Sequence, residues 1–294
     1  MLKQATEAKP EMTTLSELAA RIPDWCPGCG NFAILNALKK SIIDLKIEPK
    51  DFVVVSGIGC SGKMQQWLNT YGIHTLHGRA VPVATGVKLA NGDLTVVVSG
   101  GDGDGYGIGI GHFIHAMRRN IDLTYLVHNN QVYGLTTGQT SPTSEKGFVT
   151  KSTPFGVIEV PVNPIALAIE SGATFVARGY SGDIIHLSGL ITEAIKHKGF
   201  ALVDILQPCV TFNHRNTYEW FQKVCYKLPA DYNPGDRKAA LAKSDEWGEK
   251  TGIPIGVVYR EERPTYSDEV PQLKTPLVKQ SLEIDIDKLM EKLV

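Results

Sequence analysis

The chain has 294 residues, enough for one large domain or two small ones with ample core. It is 43% hydrophobic and 21% charged, with a formal net charge of -1. That balance gives no electrostatic case for nucleic acid or an anionic membrane surface, and no apolar run reaches the length of a membrane span. The opening MLKQATEAKPEMTT has no apolar core, so no signal peptide is expected and the expected location is the cytoplasm.

Residues 1–20 are polar and read as a frayed N-terminal arm. A tight turn at 26–31 follows, then a helix in which Phe32, Ile34, Leu35, Leu38 and Ile42 recur at helical spacing. Residues 51–56 (DFVVVS) predict a buried strand that ends in the glycine-rich GIGCSGK. A helix is predicted around 80–89, and a second buried strand at 94–99 (LTVVVS), again ending in glycines. Helix 108–118, strand 123–128 (LTYLVH), helix 165–171, strand 174–178, helix 184–198 and strand 200–206 (FALVDIL) complete the pattern. Strands alternating with helices imply βαβ units, hence an α/β fold with a parallel sheet flanked by helices. Ligands in such folds sit at the carboxyl ends of strands. The glycine-rich loops and Cys209 all follow predicted strands, so they are expected at one edge. From residue 226 the chain turns Pro-rich and charged. The expected division is an arm at 1–20, a ligand-binding domain at 21–225, and a C-terminal extension at 226–294 that contacts another subunit.

The segment from Gly100 to Gln139 is the richest in chemistry. Its glycines from Gly101 to Gly111 all fall on odd positions, so the G-x-G-x-x-G dinucleotide fingerprint fails in every register. A different phosphate logic fits. Gly101, Asp102 and Gly103 follow a strand and lead into a helix, where glycine permits close backbone approach and the helix start favours anions. A carboxylate aimed at a diphosphate would repel it unless a divalent cation lay between. Magnesium takes about six oxygens, one or two of them from protein side chains. Asn130, just after the next strand, can supply the second side chain. Asp104 also lies in a GDG; Asp102 is preferred because it directly follows the strand. The alternative is an ordinary glycine-rich turn with a capping aspartate.

The arrangement resembles the thiamine-diphosphate motif, GDG followed one strand later by asparagine. The resemblance implies that Asp102, Asn130 and the Val132 carbonyl hold magnesium. Gly59, Ser61, His77, Gly101, Gly103 and Asp104 are expected around the cofactor. His77 could equally cap local backbone, and His112 and His115 read as structural.

There are five cysteines, and a large chain of the cytosolic type is not expected to pair them as disulfides. Cys26 and Cys29 form a CxxC turn, while Cys60 and Cys209 sit in other strand-end loops. Four converging thiolates suit zinc or a [4Fe–4S] cluster, and spacing does not separate the two. WCPGCGN, GIGCSGK, HGRA, GDGDG, RRNIDLT, NNQVYGLTTGQ and QPCVTFN occur in this order in the β subunits of 2-oxoacid:ferredoxin oxidoreductases, which this chain resembles over roughly residues 20–220. The resemblance implies that Cys26, Cys29, Cys60 and Cys209 bind one [4Fe–4S] cluster near the thiamine. It makes Lys63 a catalytic residue of the active-site loop, and places Leu135 and Thr137 at the substrate pocket. Cys225 has no counterpart and reads as a buried thiol.

A rival reading of Gly57–Lys63 as a P-loop is weakened by Met64, which stands where Ser or Thr would hold magnesium. Thiamine chemistry also needs a glutamate against the aminopyrimidine ring. In thiamine enzymes it comes from a separate domain, for which this chain has no room. An α subunit that supplies that domain is therefore expected, in a tetramer of two α and two β chains, with ferredoxin as electron partner and coenzyme A as co-substrate. The expected reaction is oxidative decarboxylation of 2-oxoglutarate to succinyl-CoA and CO2, or its reductive reverse. The segment YGLTTGQTSPTS (133–144) favours 2-oxoglutarate, yet many such relatives carry lysine where this chain has Thr137. Pyruvate is the alternative substrate, and a non-oxidative thiamine-dependent decarboxylase the alternative activity.

Overall fold

The computed structural model describes residues 13–281, 283 and 285–291. Helix α1 (Asn31–Asp44) leads into β1 (Phe52–Ser56), β2 (Tyr71–His74), α2 (Ala80–Ala90) and β3 (Thr95–Gly101). A wide helical turn at Gly103–Ile108 opens α3 (Ile110–Arg118), followed by β4 (Leu123–Asn129). The small hairpin β5 (Val132–Tyr133) and β6 (Gln139–Thr140) stands apart from the main sheet. Then come α4 (Pro164–Glu170), β7 (Phe175–Tyr180), α5 (Ile184–Lys196), β8 (Phe200–Leu206), α6 (Tyr218–Val224), β9 (Cys225–Lys227), α7 (Arg237–Ser244) and β10 (Ile253–Arg260). Short helices α8 (Tyr266–Glu269) and α9 (Ile286–Met290) close the described chain.

Eight strands form one sheet in the order β2-β1-β3-β4-β8-β7-β10-β9. Every pairing is parallel except that of β10 with β7. Side chains alternate across the pleat, so each central strand feeds two cores. Val53 and Val55 of β1 join Phe113, Met117 and Ile165 beneath α2, α3 and α4. Phe52 and Val54 join Ile34, Leu38 and Ile191 beneath α1 and α5. This is why the central strands read as unbroken apolar runs. The α/β expectation holds, and the predicted elements match within a few residues. No helix among the described residues is long and apolar enough to cross a membrane.

Strands β2, β9 and β10 of the main sheet, and the β5–β6 hairpin, had no counterpart in the predicted pattern. Strand β2 lies on the sheet edge with all four residues exposed, so burial leaves no apolar run there. Strand β10 contains Pro254 and Gly256, residues that ordinarily interrupt strands. Pro254 lies where β10 pairs only with the short β9, and Gly256 takes φ 140, a conformation that favours glycine. Residues 226–294, expected as an extension, thus supply β10 and most of β9 to the main sheet, and Val258 to its core. The expected N-terminal arm lies mostly outside the described residues. Its described part is docked, with Leu18 fully buried and Ala19 bridged to Leu68.

Ile253 is fully buried against Phe221 and Leu206. Ile253→Ala is expected to cost about 2–5 kcal/mol in chemical denaturation, the range for large-to-small core changes. A residue on a loosely appended arm would cost almost nothing.

Candidate functional site

The parallel strands β1, β3, β4 and β8 release their loops at one edge, and a cavity of about 180 Å³ opens among them. Gly59, Cys60 and Ser61 reach it from the loop after β1, and His77 from the loop before α2. Gly101, Asp102, Gly103 and Asp104 arrive from the end of β3, and Asn130 and Val132 from the end of β4. These residues, predicted from scattered segments, therefore share one wall. Ile58, Tyr133, Gly134 and Thr136 line it as well and had not been singled out. His112 and His115 line neither this cavity nor the one beside it.

The two aspartates have different surroundings. Asp104 Oδ1 accepts the backbone N–H of Ile58 at 3.0 Å and of Gly78 at 2.8 Å. His77 Nδ1 stands 2.9 Å from the same oxygen. Asp104 thereby ties together the loops after β1, before α2 and after β3. A side chain on Gly57 would collide with it, its Cβ landing 1.9 Å from Asp104 Oδ2. Asp102 is 1% exposed, and its Oδ2 accepts Ser141 Oγ at 2.5 Å and Thr143 Oγ1 at 2.6 Å. No cationic side chain among the described residues offsets it. Burial pushes both carboxyls up; hydroxyls and backbone N–H groups oppose this at Asp102, and mainly the Gly78 and Ile58 amides at Asp104. An ionised Asp102 would thus be a buried anion held by hydroxyls and backbone N–H groups alone. Asn130 Oδ1 accepts the Val132 N–H at 3.1 Å, and its Nδ2 donates to Gln207 at 3.0 Å. Tyr133 lies against the glycine loop and donates to the Gly103 carbonyl at 3.2 Å. Only glycine fits at 103, since a Cβ there would stand 2.1 Å from the tyrosine ring.

A second cavity of about 230 Å³ adjoins the first. Cys26, Cys29, Cys60 and Cys209 all line it, together with Lys63 and Thr137. Cys225 lines a separate surface concavity. Cys60, Asn130, Gly134 and Leu135 belong to both cavities, which therefore share a wall. Gly134 is wedged between sulfurs, with a Cβ there 3.7 Å from both Cys60 and Cys209 Sγ. Burial pushes the Cys29 thiol up to about 12, and the Cys60 and Cys209 thiols up as well. No three His, Cys, Asp or Glu side chains among the described residues are gathered as for a single ion. The four cysteines are brought together only as lining residues of one cavity. Trp25 Nε1 donates to the Cys60 carbonyl at 2.7 Å and braces this loop.

Lys63 faces the cysteine cavity rather than the first one, and pairs with Asp24 at 3.1 Å. Thr137 also lies on the cysteine side, exposed, at φ 77. That is a strained conformation for a β-branched residue. The loop after β1 leads into a short 3-10 turn at Ser61–Gln66 rather than a long helix, and the Asp104 carboxylate occupies its Ile58 amide. Both features disfavour a nucleotide P-loop.

Residues 57–205 match the family model for the thiamine pyrophosphate enzyme C-terminal TPP-binding domain. Residues 209–275 match that for the C-terminal part of the pyruvate ferredoxin oxidoreductase beta subunit. The chain is 54% identical over 261 residues to a 2-oxoacid:ferredoxin oxidoreductase subunit beta from a Sulfolobus species, covering 84% of this chain and 85% of that one. The chain belongs to the 2-oxoacid:ferredoxin oxidoreductase β subunits. It is also 51% identical over 189 residues to the 2-oxoglutarate oxidoreductase subunit KorB of Mycobacterium tuberculosis, covering 64% of this chain and 51% of that one. A solved 2-oxoglutarate:ferredoxin oxidoreductase from Magnetococcus marinus, with 2-oxoglutarate, coenzyme A and succinyl-CoA bound, superposes with a TM-score of 0.88 at 36% identity, covering 99% of this chain and 97% of that one. As a β subunit of an oxidoreductase, the chain implies a partner subunit.

The geometry separates the two aspartates. Asp104→Ala would strand two backbone N–H groups, at about 1–3 kcal/mol each. It is expected to lower the melting temperature of the ligand-free chain measurably. Asp102→Ala is expected to lower that temperature less than Asp104→Ala, because Ser141 and Thr143 keep other hydroxyl and amide partners and a buried carboxylate is removed.

Proposed function

We propose that this β subunit, with an α subunit, catalyses coenzyme A-dependent oxidative decarboxylation of 2-oxoglutarate to succinyl-CoA and CO2, passing electrons to ferredoxin. The observation that carries this is the wall shared by the diphosphate cavity and the cysteine cavity, formed by Cys60, Asn130, Gly134 and Leu135. When bound, thiamine diphosphate supplies the decarboxylation chemistry and an iron–sulfur cluster the one-electron exit.

Asp102 and Asn130, with the Val132 carbonyl, would hold magnesium against the diphosphate. The fit rests on the buried Asp102 carboxylate, whose neighbours are donors but not cations. The glycines at 101 and 103 let the backbone approach, and His77 borders the same cavity. Cys26, Cys29, Cys60 and Cys209 would bind the cluster. A zinc ion, with zinc–sulfur bonds of about 2.3 Å, would draw its sulfurs together round one point. The cavity of about 230 Å³ that the four cysteines line leaves room for the larger cluster. Lys63 would meet the substrate carboxylate, since its pairing with the exposed Asp24 is weak and exchangeable. Leu135, which borders both cavities, would line the substrate pocket with Thr137. An α subunit would bring the pyrimidine half of the site, in a tetramer of two α and two β chains. Phe155, Ile158 and Val160 are almost fully exposed, as expected of a partner-facing surface.

The names of the 2-oxoglutarate-using relatives support that substrate. One observation favours broader 2-oxoacid or pyruvate use: position 137 offers a neutral hydroxyl, and a neutral hydrogen bond holds a distal carboxylate less well than a cation.

Anaerobically purified protein is expected to contain about four irons per chain, the content of one [4Fe–4S] site. Cys209→Ala should lose that iron and Cys225→Ala should keep it; equal loss from both would remove the assignment. Steady-state kinetics of the assembled complex with coenzyme A and ferredoxin are expected to give a higher kcat/KM for 2-oxoglutarate than for pyruvate. The reverse preference would overturn the substrate and leave the cofactor sites standing.

A further inference from the structure

We infer that Ser141 and Thr143 are positioning residues for the cation at Asp102, an inference that rests on the magnesium reading above. The two hydroxyls come from a short segment beyond the β5–β6 hairpin and converge on one carboxylate oxygen, Oδ2, at 2.5 and 2.6 Å. Ser141, Thr143 and Ser144 are buried, at 8%, 3% and 2% exposure. Three hydroxyls withdrawn from water need partners inside the protein. They find them at the two loops that carry the expected ligands.

The same segment grips the end of β4. Ser144 Oγ donates to the Gln131 carbonyl at 2.6 Å, and Gln131 Nε2 donates to the Thr143 carbonyl at 3.0 Å. Gln131 lies between Asn130 and Val132 and takes φ 59, a left-handed conformation that few residues other than glycine adopt. The segment thus holds in place the backbone turn that presents Asn130 and the Val132 carbonyl. Thr143 Oγ1 also lies 2.9 Å from Asn129 Oδ1. The Asn129 amide is oriented from behind, where its Nδ2 donates to the buried Asp204 at 3.1 Å. Thr143 has a single proton, and the shorter contact to the charged acceptor takes it.

The consequence for cation binding is directional. Both hydroxyls go to Oδ2, which fixes the plane of the carboxylate and so the direction in which it would meet a cation. Magnesium demands near-octahedral geometry, so ligands that arrive already oriented bind it more tightly. Loss of such supporting contacts typically weakens metal affinity by about 10–100-fold.

The test is Mn2+ binding in place of magnesium, followed by electron paramagnetic resonance in the assembled complex with saturating thiamine diphosphate. Thr143→Val keeps the shape and removes the hydroxyl; it is expected to weaken Mn2+ affinity about 10–100-fold. Thr143→Ser should restore most of it, and Ser141→Ala should weaken it in the same direction. Wild-type affinity in Thr143→Val and Ser141→Ala, with affinity lost in Asp102→Ala, would overturn the inference and leave the magnesium reading intact. Wild-type affinity in Asp102→Ala would remove the magnesium reading itself. If Thr143→Ser binds as poorly as Thr143→Val, the methyl group matters rather than the hydroxyl, and the inference fails. Melting temperatures report folding of each variant, and Ser141→Ala carries the test should Thr143→Val fail to fold.

Discussion

The strand-end loops converge on one buried carboxylate oxygen, Asp104 Oδ1. It collects the Ile58 and Gly78 amides and stands beside His77. The walls of both cavities follow from that anchor, because Cys60 and Ser61 continue the loop that Ile58 begins. The glycine at 57 is the steric counterpart, since the carboxylate fills the space a side chain would need. An amide that points at a protein carboxylate cannot also cradle a ligand phosphate. The Ile58 amide is therefore part of the scaffold, while Gly59, Cys60 and Ser61 of the same loop still face the cavity.

Two aspartates, with one glycine between them, meet opposite needs by their surroundings alone. Backbone amides and an imidazole surround Asp104, so the chain largely satisfies it from within. Hydroxyls and backbone N–H groups surround Asp102, and they orient a carboxylate without neutralising it. The neighbouring cavity repeats the theme with sulfur, because burial disfavours the thiolates that a metal would require. Both cavities gather donors whose charged forms are made costly by burial. Their shared wall brings the two chemistries within a few side chains of each other, at the edge where parallel strands end.

Most of the fold was legible in the sequence because burial on both faces writes itself as apolar runs. FVVVS, LTYLVHN and FALVDIL are fully buried along their length. Helices α1 to α5 were legible from their spacing, as in α1, where Ile34, Leu35, Leu38 and Ile42 reach the core, whereas α6 and the helices after it were not. Strand β2 was not, because an edge strand with exposed residues needs no apolar pattern. Strand β10 was not, because Pro254 and Gly256 resemble breakers until the pairing partners are known.

The chemistry divides the same way. Residue types in order along the chain were enough to nominate Asp102, Asn130 and the cysteines at 26, 29, 60 and 209, since each sits beside a glycine or proline turn after a predicted strand or before a helix. Only the tertiary structure brought Ser141 and Thr143 to Asp102, because a run of hydroxyls in a loop reads as solvent-facing until its burial is seen. Only the tertiary structure placed Lys63 and Thr137 on the cysteine side of Leu135, and tied Asp104 to Ile58 and Gly78. Local sequence carries secondary structure and donor chemistry, which depend on near neighbours. Contacts between strand ends depend on the order of strands in the sheet, a property of the whole chain.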